Sequence, residues 1–245
     1  MTPRQLTPVE KERYRAEGFL VVPDLLTRDE VNRFVAYEAG QDAEWRSHLD
    51  NHKRDAEWGA IARHPNVAGI ARQLLGGPPL IVQTMYMEKH PGEAAKGTAL
   101  HQDTHYLPNE PNTLMACWLA LTETDEENGG LCVLPGSHTK GLHVTHKSTS
   151  MKDHQVWESE HLMRDRSGKE WRQTFYSFEI DGIDRSMMKF LAVPAGAGVY
   201  FTGMTIHGSY ANRSASRVRR AFATHYVAEG TWVVRADVQE TVPVR

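Results

Sequence analysis

The 245-residue chain contains two cysteines, Cys117 and Cys132, too few to form a four-ligand metal site by themselves. Both sit in apolar runs, as buried thiols do in a reducing cytoplasm. No apolar stretch reaches membrane-spanning length, and the opening MTPRQLTPVEKERYR lacks the apolar core of a secretory signal. A net charge of −3 provides no basic field for nucleic acid. Internal repeats and low-complexity linkers are also missing. These absences point to one cytoplasmic domain over 1–245 with a small-molecule partner, no nucleic acid and no membrane. Oligomeric state is not legible in the sequence.

What is present changes character near residue 80. The part over 1–79 reads as mostly helical. Thr7-Pro8-Val9-Glu10 is a helix start, with threonine as cap, proline in the first turn and glutamate three residues after the cap. A short strand, GFLVV, follows over 18–22. Thr27 and Glu30 repeat the start signal ahead of a helix that ends in glycine, and 64–75 forms a further helix closed by Gly76-Gly77-Pro78-Pro79. From Leu80 onward, runs such as IVQTMYMEKH, LMACWLALT, GLCVLPGSH, GVYFTG and RRAFATHYVA are short, apolar or alternating, and separated by turn residues. They predict a β core over 80–138 and 188–230, a sandwich or open barrel. The polar stretch over 139–187, with its scattered aromatics, is long for a loop and reads as a partly structured insertion covering a site.

LHQDTHY, at 100–106, concentrates the chemistry. As a helix it would place His101 and His105 on one face at zinc-ligand spacing, but Gln102 stands where the hydrolytic motif needs glutamate, and Leu107-Pro108 closes the segment. As a strand it points His101 and Asp103 to one side, about 6.5–7 Å apart at Cα, close enough to share one ion. His105 lies too far along for that ion and takes an orienting or packing role. A third ligand is needed, and His207 in VYFTGMTIHGS is the candidate. Two histidines and one carboxylate make the facial triad of oxygen-activating non-haem iron. Beyond His207 a turn leads into a strand from near Arg217. Read as a hairpin, it sets an arginine beside His207, able to pair with the far carboxylate of a metal-chelating keto acid such as 2-oxoglutarate.

The pieces GFLVVPDLLTRDEV, TMYMEKHPG, LHQDTHYLP, CWLALTETDEENGGLCVLPGSHTKG and IHGSYANRSASRVRRAFATHY together resemble the phytanoyl-CoA dioxygenase (PhyH) family of Fe(II)/2-oxoglutarate oxygenases, in the family's order from Gly18 to Tyr226. The resemblance implies a mainly β fold with flanking helices, a double-stranded β-helix or jelly roll. It implies His101, Asp103 and His207 as iron ligands, and Met85, Trp118, Ser209 and Arg219 around 2-oxoglutarate. It also implies Fe(II), 2-oxoglutarate and O2 as cofactor and co-substrates, with release of succinate and CO2. Because Asp103 is present, hydroxylation of an unactivated carbon is the expected outcome; the family's halogenating members lack that carboxylate. The turn between His207 and the arginine is one residue longer than the family's usual turn. Strand parity favours Arg219 over Arg220, since Arg219, Ala221, Ala223 and His225 share the face with small residues and polar ends; Arg217 has the same parity but sits nearer the turn, where solvent weakens its pairing.

Two other readings compete. One is a non-catalytic jelly-roll binding protein. The other is an acyl-CoA hydroxylase, as in the family's namesake. The insertion offers Lys140, Lys147, Lys152, Arg164, Arg166, Lys169 and Arg172, but Asp153, Glu158, Glu160 and Asp165 interleave them, so no clear phosphate cradle results. His138, His143, His146, His154 and His161 fit no ligand spacing; His138 reads as a hydrogen-bonded turn residue, the rest as exposed or substrate-facing lid residues.

Overall fold

The helix starts expected at Thr7 and Thr27 both form capping boxes. Each threonine Oγ1 accepts from the N–H of the glutamate three residues on, and that carboxylate accepts from the threonine N–H. They open α1 (Pro8–Glu17) and α2 (Arg28–Ala39), and Gly18 closes α1 in the left-handed conformation at φ 79°. Three short helices were not foreseen: α3 (Ala43–Ser47), α4 (Asn51–Arg54) and α5 (Ala56–Ala62). The helix expected over 64–75 is therefore α6 (Pro65–Leu75). This computed structural model describes residues 3–92, 96–148 and 156–244.

The strands begin with β1 (Phe19–Val22), β2 (Pro79–Lys89), β3 (Thr98–His101), β4 (Asn109–Glu110) and β5 (Met115–Ala120). There follow β6 (Leu131–Val133), β7 (Thr145–Lys147), β8 (Glu158–Arg164), β9 (Glu170–Tyr176), β10 (Phe178–Ile180) and β11 (Lys189–Phe190). The chain ends with β12 (Gly198–Thr202), β13 (His207–Ser209), β14 (Arg219–Ala228), β15 (Trp232–Val233) and β16 (Val242–Pro243). A six-stranded antiparallel sheet runs β1-β12-β5-β14-β2-β16, and a four-stranded one runs β11-β6-β13-β3. Leu131 and Val133 of the smaller sheet share one buried cluster with Trp118, Ala221 and Ala223 of the larger, so the two sheets face each other. The other face of the larger sheet carries the helices: Phe222 packs edge-on to Phe34 at 5.4 Å and against Trp58 at 5.6 Å. Each such ring, fully buried, contributes roughly 1.5–3 kcal/mol. The architecture is a double-stranded β-helix with helices outside, as expected.

One expectation needs correction. β13 and β14 are not a hairpin. β13 lies in the smaller sheet between β6 and β3, whereas β14 lies in the larger between β5 and β2, so Arg219 faces the metal-ligand candidates from the opposite wall. Within the insertion over 139–187, expected to be partly structured, the described residues carry paired strands. β8 and β9 pair over their whole length, Met163 and Phe175 are fully buried, and Met163 bridges to Arg235 near the C-terminus. Lys152, Asp153 and His154 lie outside the described residues.

Candidate active site

LHQDTHY is neither helix nor continuous strand. β3 stops at His101, Gln102 stays extended (φ −117°, ψ 127°), and Asp103–His105 turns into a 3-10 helix. One extended residue suffices to put His101 and Asp103 on one side. Gln102 points the other way and is fully buried: its amide donates to the carbonyls of Gly141 (2.9 Å) and Met204 (2.7 Å), and its oxygen accepts from His143 N–H (2.8 Å). It pegs the start of the insertion and the approach to His207 onto the segment between His101 and Asp103. The turn carries His105 away, to pack on Phe178 at 5.3 Å.

β13 pairs with β3 so that His207 lies directly opposite His101. Their rings sit 4.3 Å apart, and each donates its Nδ1–H to a backbone carbonyl, Ala99 at 2.8 Å and Thr205 at 3.0 Å. A carbonyl only accepts, so both Nε2 atoms carry free lone pairs. These approach Asp103 Oδ1 at 3.4 and 3.6 Å, and the three ligand atoms lie within 4.8 Å of one another. This is the one such His/Cys/Asp/Glu group among the described residues. Burial lowers His207 to about 4, so its imidazole is neutral at pH 7, as a ligand must be. Burial opposes ionisation of Asp103, but the surrounding histidines, His225 through a hydrogen bond, outweigh it and hold the carboxyl well below its usual range. Two histidines with one ionised carboxylate are the donor set that suits Fe(II) with open positions.

The second oxygen of Asp103 is held by His225, missed as a functional residue in the sequence although its parity with Arg219 was evident. His225 Nε2 lies 3.1 Å from Oδ2, and its Nδ1 lies 3.3 Å from Gln83 Nε2. Gln83 Oε1 accepts from Arg235 at 3.3 Å, and Arg235 is clamped by Asp237 at 2.8 and 3.1 Å. A guanidinium only donates, so Gln83 must show its oxygen to Arg235 and its NH2 to His225. His225 Nδ1 is then the acceptor, and its Nε2–H donates to Asp103.

Across the interior lies a cationic pocket. Arg219 is 2% exposed; its Nη1 donates to Met87 O at 3.3 Å, its Nε has no partner, and its guanidinium stands 5.8 Å from the Trp118 ring centre. Arg217, nearer the turn, instead pairs with Asp125 and Glu127, and Arg220, of the opposite parity, with Glu88 at 2.8 Å. Directly opposite Arg219 on β2 is Lys89, 8% exposed, which the sequence reading passed over. It shares the inward parity of Met85 and Met87, and that alternation was the available signal. Lys89 Nζ donates to Ser209 Oγ (2.8 Å), which in turn donates to Thr98 Oγ1 (3.1 Å). Among the described residues no carboxylate pairs with Arg219 or Lys89. Thr98 and Met85 line a cavity of about 320 Å³ that is also lined by His101, Asp103, Tyr106 and Trp157. Of the residues singled out in the sequence, Met85, His101 and Asp103 line this cavity.

Of the insertion's aromatics, Trp157 lines the cavity 5.3 Å from Tyr106, and Phe175 is buried against Tyr106. Trp171 lies apart from it. His138 bonds Arg15 O at 2.9 Å, as a turn residue should. His161 also reaches the cavity, whereas His146 pairs with Glu179 and Asp181.

The sequence profile of the phytanoyl-CoA dioxygenase (PhyH) family matches residues 14–221. Peroxisomal phytanoyl-CoA dioxygenase of Mus musculus is 27% identical, over 90% of this chain and 68% of that protein. Ectoine dioxygenase of Streptomyces avermitilis is 29% identical, over 85% of this chain and 74% of that protein. Among solved structures, the non-heme monooxygenase ThoJ superposes with a TM-score of 0.72 at 21% identity, covering 96% of this chain and 83% of that one. The epimerase SnoN, solved with Fe3+, alpha ketoglutarate and nogalamycin RO, superposes at 0.68 and 20% identity, covering 92% and 84%. With a profile that spans most of the domain and this arrangement of side chains beneath it, the chain belongs to the phytanoyl-CoA dioxygenase family of Fe(II)- and 2-oxoglutarate-dependent oxygenases, enzymes that consume O2.

Proposed function

We propose that this enzyme hydroxylates an unactivated carbon of a small organic molecule without a net charge. His101 and His207 through Nε2, and Asp103 through Oδ1, hold Fe(II). Bound iron supplies the chelation site for the keto-acid end of 2-oxoglutarate and the activation of O2; the balance is RH + 2-oxoglutarate + O2 giving ROH, succinate and CO2. The chain's own residues do the positioning. Arg219, over Trp118, pairs with the far carboxylate, Ser209 offers its hydroxyl, and Met85 walls the co-substrate. His225 fixes the orientation of Asp103, and Tyr106 and Trp157 keep water from the reacting carbon.

One observation carries this reading: a buried arginine with no acid among the described residues to neutralise it, facing the same interior as a His–Asp–His cluster. Such a charge is costly to leave unpaired, so an anion belongs there. Charge matching also guides the choice of substrate. Arg235, the cation at the cavity wall, is matched by Asp237, while Lys147, Arg164 and Arg172 of the insertion pair with Glu158, Glu170 and Glu160. Nothing comparable to a phosphate cradle remains among the described residues, which favours a free molecule, of the kind ectoine dioxygenase is named for, over a CoA ester. The buried free thiols Cys117 and Cys132 are consistent with a reducing cytoplasm.

Anaerobic addition of Fe(II) and 2-oxoglutarate tests the centre. The wild type should develop the weak visible charge-transfer band of the chelate and Asp103→Ala should not; equal spectra would overturn the ligand assignment. Stimulated succinate release, screened over neutral small molecules and CoA thioesters, then decides the substrate class.

A further inference from the structure

The insertion brings a polar edge to the cavity that has no role in this scheme. Along β8 the side chains alternate: Glu158, Glu160 and Leu162 are exposed, whereas Ser159, His161 and Met163 turn inward. Ser159 and His161 line the same cavity as His101 and Asp103. The strand is fixed from the C-terminal side, where Arg164 N–H donates to Val234 O at 2.8 Å and Gln239 Nε2 donates to Arg164 O at 3.0 Å. The helical turn Ala236–Val238 then brings Asp237 beside His161.

The direction of each hydrogen bond follows from the donors available. Asp237 accepts from Arg235 through both oxygens and has only lone pairs to offer. His161 Nδ1 lies 3.5 Å from Asp237 Oδ2, so the imidazole proton belongs on Nδ1. Burial, with Arg235 adding to it, lowers the pKa of His161 and keeps the ring to that single proton at neutral pH. Nε2 therefore carries a lone pair, and the hydroxyl of Ser159 donates to it at 2.6 Å. With its proton committed, Ser159 Oγ has only lone pairs left for the cavity, and no other described residue bonds it. Leu49, Met85, Ala99 and Leu107 give the same cavity apolar surface. Arg235 also donates to Gln83, so one arginine joins this relay to the imidazole that orients Asp103.

We propose that Ser159 anchors the substrate by accepting a hydrogen bond from its hydroxyl or amide N–H, so that the enzyme selects neutral molecules carrying such a donor. His161 and Asp237 act through Ser159 as positioning residues, and the apolar walls take the rest of the molecule. The inference rests on the hydroxylase reading above and narrows its substrate class. A carboxylate would meet the lone pairs of Ser159 with its own, and Asp237 already neutralises Arg235, which disfavours an acid.

The anaerobic enzyme, loaded with Fe(II) and 2-oxoglutarate, is titrated with neutral alcohols and secondary amides, each paired with its O-methyl or N-methyl counterpart. Perturbation of the charge-transfer band reads binding, and succinate release in air reads turnover. Wild type should prefer the donor-bearing member by about 10- to 100-fold, an alcohol pair identifying a hydroxyl and an amide pair an N–H. Ser159→Ala should bring that preference to within about twofold, while its band with 2-oxoglutarate alone stays as in wild type. Asp237→Asn keeps Ser159 but offers His161 an N–H, which moves the imidazole proton to Nε2 and turns the serine hydroxyl toward the cavity. The preference should then shrink or pass to the methylated member, a change that loss of packing alone would not produce. A wild type that binds both members alike or none of the panel, or either variant keeping the wild-type preference, would overturn the inference. Absence of the chelate band in wild type would instead overturn the metal and co-substrate centre on which it rests.

Discussion

Replacing His225 with leucine isolates the one bond that orients the carboxylate ligand. In the folded protein His225 Nε2–H reaches Asp103 Oδ2 at 3.1 Å, and both side chains are at least nine-tenths buried. Leucine occupies similar space, donates nothing and leaves Oδ2 without a partner. A hydrogen bond to a charged group contributes about 1.5–3 kcal/mol, and each ~1.4 kcal/mol is a factor of ten. Iron affinity should therefore fall by about 10- to 100-fold, the range found when the partner of a metal ligand is removed. His225→Gln keeps an N–H donor and should recover part of the loss; Gln83→Leu, which frees the imidazole to change tautomer, should show a smaller version of it. Anaerobic Fe(II) titration at saturating 2-oxoglutarate, followed by the charge-transfer band, reads the affinity, and thermal unfolding of the metal-free proteins checks the fold. If His225→Leu bound iron within about twofold of wild type with an unchanged melting temperature, Asp103 would need no such partner and the tautomer argument would be wrong.

Arg219→Ala should raise the 2-oxoglutarate requirement by two or more orders of magnitude, because removing a buried charge partner costs about 3–5 kcal/mol. Arg220→Ala loses only the partly exposed pair with Glu88, about 0–1 kcal/mol, and should leave that requirement unchanged; the reverse ranking in steady-state kinetics refutes the facing of β14. Glu38 is fully buried with both oxygens unpartnered, and burial raises its carboxyl from 4.5 to about 7 against the pull of Arg46. The folded state thus holds the proton more tightly than the unfolded one, so the stability from this group is full below about pH 4.5 and lost as pH rises through about 7. Glu38→Gln should gain on wild type as pH climbs from about 5 to 8, by at most about 3 kcal/mol; an equal difference in melting temperature at both pH values argues against it. Limited proteolysis across 139–187 should slow when 2-oxoglutarate and substrate are added, since Trp157 lines the cavity they fill; identical cleavage with and without them speaks against a ligand-ordered cover.

Local rules accounted for the parts of this fold that depend on neighbours in sequence. The boxes at Thr7 and Thr27 need only four residues each, and the inward set of Arg219, Ala221, Ala223 and His225 follows from alternation alone. His101 and Asp103 were legible because Gln102 stays extended even where β3 does not continue. The hairpin expected between β13 and β14 failed because a nine-residue connection left each strand free to join a different sheet, and no local pattern records that choice. α3, α4 and α5 are too short to establish an apolar period. Lys89 was hidden by habit of reading: a lysine at a strand end is usually solvated, and only its parity with Met85 and Met87 pointed inward. His225 could be placed on the right face, but its task depends on Gln83 and Arg235, which lie far away in sequence.

β14 works as a ruler marked on both edges. One edge spaces Arg219 and His225 to their two stations in the cavity, and the other spaces Phe222 and Tyr226 into the helical layer, where Tyr226 Oη donates to Ala62 O at 2.6 Å. Adding or deleting one residue within it would exchange the edges, turning both functional side chains toward the helices and both rings into the cavity. The connection from Tyr210 to Val218 carries no such markings. Its length can drift while the reading frame of the strand cannot, so tolerated changes in chain length in this region should stop at Arg219.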